Sequence, residues 1–477
     1  MSPWARGLAW VVLLEALGAC SLVTQGFEEC ATDLDCGDGR ACSARYCLPL
    51  PDGCRREVAA TPSTGASARA DDIRLAALLP LSNARTGGLP DTSEAAGLNA
   101  LALAVTDVNS QNGIDGRRFT LYVCDTGRDS SVIAEQTRWM VEQLGVPAVV
   151  TSGSRQTLAV TDTPVQRDAG TLVISATATA VELSGVFGRH QTPWRIAPSD
   201  ALQVRVMTRL LTTNPGYAGS SRYGIVFEDG PYGLGIASAL REQLVSVTDA
   251  GTERVQTFGY LPPLDVPSVL DKLAPFHAGA GELRTTVLIG FPIDIVKLVE
   301  SAGGRPALAA DGGHRWFLSD SAKDLSLITP GTGPSLLGAL GTAPAQGSGT
   351  AYLDFRTRYL ATFRSDPDGF SYTGHSYDAA MVVMLSAAWA ARDDGAVSGP
   401  RLSDGMRQLS AKTGPRFRLG PTEWRDAAAA LGRGQPIDVE GASGELDFDV
   451  NTGAPSARYE VWRVADAGFS TVRFEDP

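Results

Sequence analysis

Residues 147–183, PAVVTSGSRQTLAVTDTPVQRDAGTLVISATATAVEL, restrict the fold of this chain more than any other stretch. Two short β-rich runs, 147–151 and 171–175, each stop at small and hydroxyl residues. Between them, 157–169 is long enough for a crossover helix, with Pro164 placed to kink or shorten it. Strand, helix, strand at this spacing is a βαβ unit, so the two strands are expected to be parallel neighbours. Their C-terminal ends then share one sheet edge, where open α/β sheets bind ligands. The sequence puts Ser152-Gly153-Ser154 at the first end and Ser175-Ala176-Thr177-Ala178-Thr179 at the second. Short hydroxyls and helix-starting N–H groups suit a small anion such as a carboxylate. Ser154 and Thr179 read equally well as ordinary helix N-caps.

The flanks repeat the rhythm. A buried strand at 73–79 precedes a helical stripe over 94–109 carrying Ala95, Leu98, Ala102, Val105 and Val108. A strand at 118–124 and a helix at 130–144 lead into the central stretch, which predicts a doubly wound parallel sheet. After 194–197 the pattern restarts, with strands expected at 223–227, 254–258, 286–290 and 315–318 between helical segments. A second α/β sheet follows, with the crossing between sheets near Pro198. Residues 331–349, rich in Gly, Ser and Pro, are expected to form a second crossing and surface loop. Helices at 352–363 and 377–391 and strands at 443–449 and 459–464 close the chain.

A formal charge of −12 argues against nucleic acid as a partner. Residues 7–18 are largely apolar after Arg6, too short for a bilayer span and suited to an export signal. They end in Leu17-Gly18-Ala19-Cys20, which resembles the lipobox of bacterial lipoproteins, with Cys20 the lipid-bearing residue; Glu15 within the run departs from that pattern. Five of the other six cysteines, Cys30, Cys36, Cys42, Cys47 and Cys54, crowd into a Gly-, Asp- and Pro-rich segment. In an exported chain this reads as a small disulfide module, and Cys124 is available to partner the fifth. Zinc is the rival reading, but the segment holds no His and no CxxC pair.

From about residue 73 to 464 the chain resembles the type I periplasmic binding proteins, in the leucine/branched-chain amino-acid-binding branch. The resemblance rests on GLNALALAVTDVNSQNGIDGRRFTLYVCDT (97–126), the Ser154 and Thr177–Thr179 turns, EDGPYGLG (228–235), GHSYDAAM (374–381) and GASGELDFDVNTG (441–453). It implies two α/β lobes joined by three strands and closing as a hinge. The implied organisation is a signal at 1–19, a lipidated Cys-rich module at 20–58 and a linker at 59–72. Lobe 1 would be 73–198 with about 338–440, and lobe 2 would be 199–337 with about 441–477.

The resemblance also implies roles. Ser154 and Thr179 would hold a ligand carboxylate, and the Thr177 backbone an ammonium group. From the opposite lobe would come Tyr232, the aromatic Phe291, which lacks the hydroxyl usual at that position, and Asp320 as the acid for the ammonium. An amino-acid-like zwitterion leaving water needs both charges met. The loop after Leu81 departs from the pattern, and Arg155 adds a charge beside the carboxylate turn, so an aliphatic amino acid, an acidic one and another small organic anion all stay open. Asp320 also reads as a cap, and Tyr232 and Phe291 as packing.

Catalytic signatures are sparse. Gly374-His375-Ser376-Tyr377-Asp378 has Asp where a nucleophile elbow needs Gly. His190, His277, His314 and His375 are scattered and read as surface or capping residues. No enzyme activity, cofactor or metal is expected. The leading expectation is a periplasmic lipoprotein of a bacterial envelope, anchored to the membrane through its lipid and delivering solute to an ABC transporter permease. The alternative is a sensor or scaffold on the same fold, using its Cys-rich segment as a contact surface.

Overall fold

The computed structural model describes residues 29–59, 69–83, 89–248, 251, 253–279 and 282–477. The expected export signal, Cys20 and residues 60–68 of the linker lie outside them. Three strands open the described residues: β1 (Arg40–Ser43), β2 (Tyr46–Pro49) and β3 (Cys54–Val58). β4 (Ile73–Leu79), β5 (Phe119–Asp125), β6 (Ala148–Thr151), β7 (Leu172–Ser175) and β8 (Trp194–Arg195) follow. The first sheet has the order β8-β7-β6-β4-β5-β3. Its central strands are parallel, and β6 and β7 are buried at every residue because helices cover both faces. Thr151 pairs with Ser175, so the two strands end level and their following turns abut. Pro164 does break the crossover: helix Ser154–Thr161 stops and Pro164–Ala169 starts anew with proline at its first turn.

The Cys-rich segment is built into this half of the molecule. Disulfides join Cys30 to Cys42, Cys36 to Cys47 and Cys54 to Cys124. All three sulfurs of the Cys30, Cys36 and Cys47 cluster are therefore in disulfides and offer no thiolate to a metal. β3 runs antiparallel to β5 as the edge strand of the sheet. Asp33 accepts from the Cys42 N–H at 2.9 Å and from Arg74 of β4 at 2.8 and 3.0 Å.

The second sheet contains β9 (Arg222–Glu228), β10 (Val255–Tyr260), β11 (Arg284–Ile289), β12 (His314–Leu318), β13 (Leu340–Pro344), β14 (Tyr459–Ala465) and β15 (Gly468–Glu475). Their order is β10-β9-β11-β12-β13-β14-β15, parallel as far as β13 and antiparallel beyond. β13 corrects the expectation of a surface loop at 331–349, since all five of its residues are buried inside the sheet. The cause is local: a side chain at Gly341 would collide with the Trp462 ring, so a strand that must accept an indole is written in residues that look like a loop. The helix Thr373–Ala390 is buried along almost its whole length and packs on the first sheet's core with helix Thr92–Ser110.

The histidines meet the expectation of surface or capping residues only in part, through His277, the C-cap of helix Val266–Phe276. His277, His314 and His375 are buried, not at the surface. Thr286 Oγ1 lies 2.9 Å from His277 Nε2 and 2.8 Å from His314 Nε2. Burial, first among the causes, lowers these imidazoles to about 3 for His277 and His375 and about 2 for His314, so all three are neutral at ordinary pH.

Candidate functional site

At the level ends of β6 and β7, hydroxyls bind the two turns to each other. Gly153 has φ +74, a conformation that favours glycine, and it swings the chain into helix Ser154–Thr161. Ser154 Oγ accepts the N–H groups of Thr179 at 3.2 Å and Ala180 at 3.1 Å. Thr177 Oγ1 accepts the Gly153 N–H at 2.7 Å and lies 2.9 Å from Ser152 Oγ. Ser152 in turn donates to Glu94 Oε1 at 2.7 Å. Thr179 is buried beside the Asp200 carboxyl.

Across from these turns, the second sheet supplies three more groups at its own strand ends. Tyr232 sits in the first turn of helix Pro231–Val247, after β9. Phe291 is the N-cap of helix Pro292–Ala302, after β11, and its ring centroid is 6.2 Å from that of Tyr232. Asp320 opens a short helical turn after β12. Its Oδ1 accepts from Tyr232 Oη at 2.6 Å and Gln203 Nε2 at 3.0 Å. Its Oδ2 accepts from Tyr372 Oη, which belongs to the other half, and its carbonyl accepts from Ser371 Oγ at 2.7 Å. Burial raises the Asp320 carboxyl, against the pull of its Tyr232, Tyr372 and Gln203 donors. Burial and the neighbouring Asp320 hold Asp200 well above the usual carboxylate range.

Between the halves lies a cleft of about 460 Å³, more apolar than polar in its lining. Ser154, Tyr232 and Phe291 are on its wall; Thr177, Thr179 and Asp320 are behind it. Arg155, singled out from the sequence as a charge beside the carboxylate turn, is also on the wall, and sequence reasoning missed two further cations there, Arg128 and Lys297. Arg128 is 2.8 Å from Asp91 and its guanidinium sits 4.6 Å above the Phe291 ring, a cation–π contact that crosses the cleft. Arg155 meets Glu228 at 3.1 Å. Thr92 donates to Asp324 at 2.9 Å, also across the cleft. Burial, with Asp91 second, pushes Glu94 up to about 8, while Arg128 and Ser152 oppose the shift. Arg128 was within reach of the strand-end rule, since it lies in the turn just after β5. Tyr372 carried no local signal: its role depends on a residue 52 positions away in the chain.

Residues 72–468 match the family model of the periplasmic binding proteins. The chain belongs to that family.

As a periplasmic binding protein it has the type I fold of the leucine-binding branch. A leucine-binding protein from Thermotoga maritima superposes with a TM-score of 0.66 at 16% identity, covering 85% of this chain and 99% of that one. A branched-chain amino acid transporter substrate-binding protein from Streptococcus pneumoniae, in complex with isoleucine, gives 0.64 at 17% identity over 85% and 99%. A solute-binding protein of an ABC transporter from Rhodopseudomonas palustris, in complex with 3,4-dihydroxybenzoic acid, gives 0.63 at 12% identity over 85% and 98%. Metabotropic glutamate receptor-like protein E of Dictyostelium discoideum is 32% identical over 286 residues, 58% of this chain. The chain spans only 30% of the length of that curated relative.

Proposed function

We propose that this periplasmic binding protein captures a small carboxylate-bearing solute, an amino acid or a related organic acid, and presents it to the permease of an ABC importer. We place the lobes along the two sheets, with crossings near Pro198, after Pro344 and before Tyr459, in place of the second and third crossings expected at about 338 and 441. The observation that carries the reading is the cleft between those sheets, where the start of helix Ser154–Thr161 opposes Tyr232 and Phe291. Its volume of about 460 Å³ is in the range of small-molecule sites. Contacts from both sides make binding and closure one event, because the closed form gains interactions that the open form lacks. Amino acids and benzoates in the structural neighbours support a carboxylate as the common element. We assign no catalytic step. Lipid on Cys20 would hold the protein at the envelope membrane, which metabolic labelling with a fatty acid tests.

Thermal unfolding against a panel of amino acids and organic acids is the direct test. A micromolar ligand at millimolar concentration adds about 4 kcal/mol, and the absence of a shift across the panel removes the reading. The receptor-like relative favours a second reading, solute sensing without transport. Uptake of the identified solute in a deletion strain separates the two.

A further inference from the structure

The contacts that cross the cleft differ in how much water reaches them. Arg155 is half exposed where it meets Glu228, so that pair is screened and weak. Asp324 is 2% exposed, and its carboxylate accepts the hydroxyls of Thr92 at 2.9 Å and of Ser93, with the Ser326 N–H at 2.7 Å. Hydrogen bonds to a carboxylate are the strong kind, and a site that excludes water keeps them so. From these contacts we infer that Asp324 is a clasp across the cleft, one that favours the closed form whether or not solute is bound.

Asp324 travels with the second half. It follows β12, and its neighbour Lys323 is tied to Glu460 of β14 at 2.6 Å, with both groups buried. Thr92 and Ser93 belong to the first half, as the first two residues of the 19-residue helix Thr92–Ser110. The start of a helix carries partial positive charge, so a carboxylate brought from outside the helix is favoured there. Asp91, the helix's own N-cap, accepts the Glu94 N–H at 3.1 Å and pairs with Arg128 at 2.8 Å, which leaves the two hydroxyls to Asp324.

The same segment is gripped a second time. The backbone of Asp324 forms an antiparallel bridge with that of Phe370, and Ser371 Oγ donates to the Asp320 carbonyl at 2.7 Å. Gly369 is bare where Leu325 lies, since a Cβ there would come within 2.7 Å of Leu325 Cδ1. Residues 369–371 lead into helix Thr373–Ala390, which packs in the first core. Opening the cleft therefore has to part Asp324 from two separate pieces of the first half. Both contacts run from protein to protein, so they shift the balance toward closure without a ligand.

Small-angle scattering tests this on the full chain, unfolded and refolded without reductant to strip carried-over solute and measured with none added. The wild type should scatter as the closed form. Asp324→Ala, and separately Thr92→Ala with Ser93→Ala, should raise the ratio of open to closed molecules about tenfold or more. Exchanging the two residues, Thr92→Ser with Ser93→Thr, keeps both hydroxyls and should keep the closed profile. Thr92 is exposed and Ser93 half-buried, so the hydroxyl variants give the answer even where Asp324→Ala fails to fold. An open wild type overturns the inference. So do variants that melt earlier but scatter as wild type, because Asp324 would then serve the fold and not the closure. Solute capture stands in either case, since the thermal panel tests it separately.

Discussion

Arg155 Nη2 lies 3.1 Å from Glu228 Oε1 on the far side of the cleft, and 3.2 Å from the Asp229 carbonyl. Gly230 provides the space for it, since a side chain there would collide with the guanidinium. The glycine has φ −163, which any residue adopts, so its role is clearance and not backbone conformation. Arg155 is half exposed, and pairs of that kind contribute about 0.2–1 kcal/mol. Arg155→Ala is therefore expected to weaken solute binding by no more than about fivefold, with a smaller effect in high salt. Gly230→Ala should push the guanidinium aside and give the same loss. The double variant should match either single one in calorimetry, because both remove a single contact.

Tyr372 donates to Asp320 across the halves, from the N-cap of helix Thr373–Ala390. Tyr372→Phe keeps the ring and removes the donor, leaving the buried carboxyl with Tyr232 and Gln203. Losing a hydrogen bond to a buried charged group costs about 1–3 kcal/mol. The variant should unfold at lower temperature, and small-angle scattering should show a larger share of open molecules. A stability equal to wild type would mean that this bond does not hold the halves together.

The order of strands and crossovers was legible because it depends on local pattern. β6 and β7 are continuous apolar runs that end in hydroxyls, and both the pattern and the turns follow from a few neighbouring residues. β13 was not legible, since its glycine answers to Trp462, more than a hundred residues away. The same limit applied to the site. That Ser154, Tyr232 and Phe291 share a wall while Asp320 lies behind it depends on Gln203 and Tyr372, which no spacing rule connects to it. The buried histidines show the converse: scattered in sequence, two of them converge on a single threonine hydroxyl.

Cys54 and Cys124 join β3 to β5, and β5 leads directly into the turn that carries Arg128. Gln136 Nε2 adds to this link by donating to the carbonyls of Asp52 and Asp125, at 3.0 Å each. For a sequence separation of 70 residues, the chain-entropy account gives a stabilisation of about 4 kcal/mol. A protein carrying Cys54→Ser and Cys124→Ser together should lose about 2–4 kcal/mol in urea unfolding. It should also bind solute more weakly, as the Arg128 turn loses its support. Unchanged affinity would confine the disulfide to a purely structural role. Peptide mapping without reduction should recover the pairs 30–42, 36–47 and 54–124.

Glu94 gives the fold a pH dependence of predictable sign. Its carboxyl is raised from 4.5 to about 8, chiefly by burial and next by Asp91. A raised acid binds its proton more tightly in the folded state than in the unfolded one. Between pH 4.5 and about 8 the folded state therefore carries more protons, and stability falls as pH rises through that window. Below it both states are protonated, and above it both are charged, so the contribution is level on either side. Other buried acids follow the same direction; Asp378, for example, is raised to about 7 by burial. Glu94→Gln removes this carboxyl together with its repulsion of Asp91, so the difference between variant and wild type reports the two acids as a coupled pair. In urea unfolding across a pH series, the variant should gain on the wild type steadily through the window and hold a constant lead beyond it. Parallel curves over the whole range would show that Glu94 titrates at its ordinary value, and that Ser152 and Arg128 already satisfy its charge.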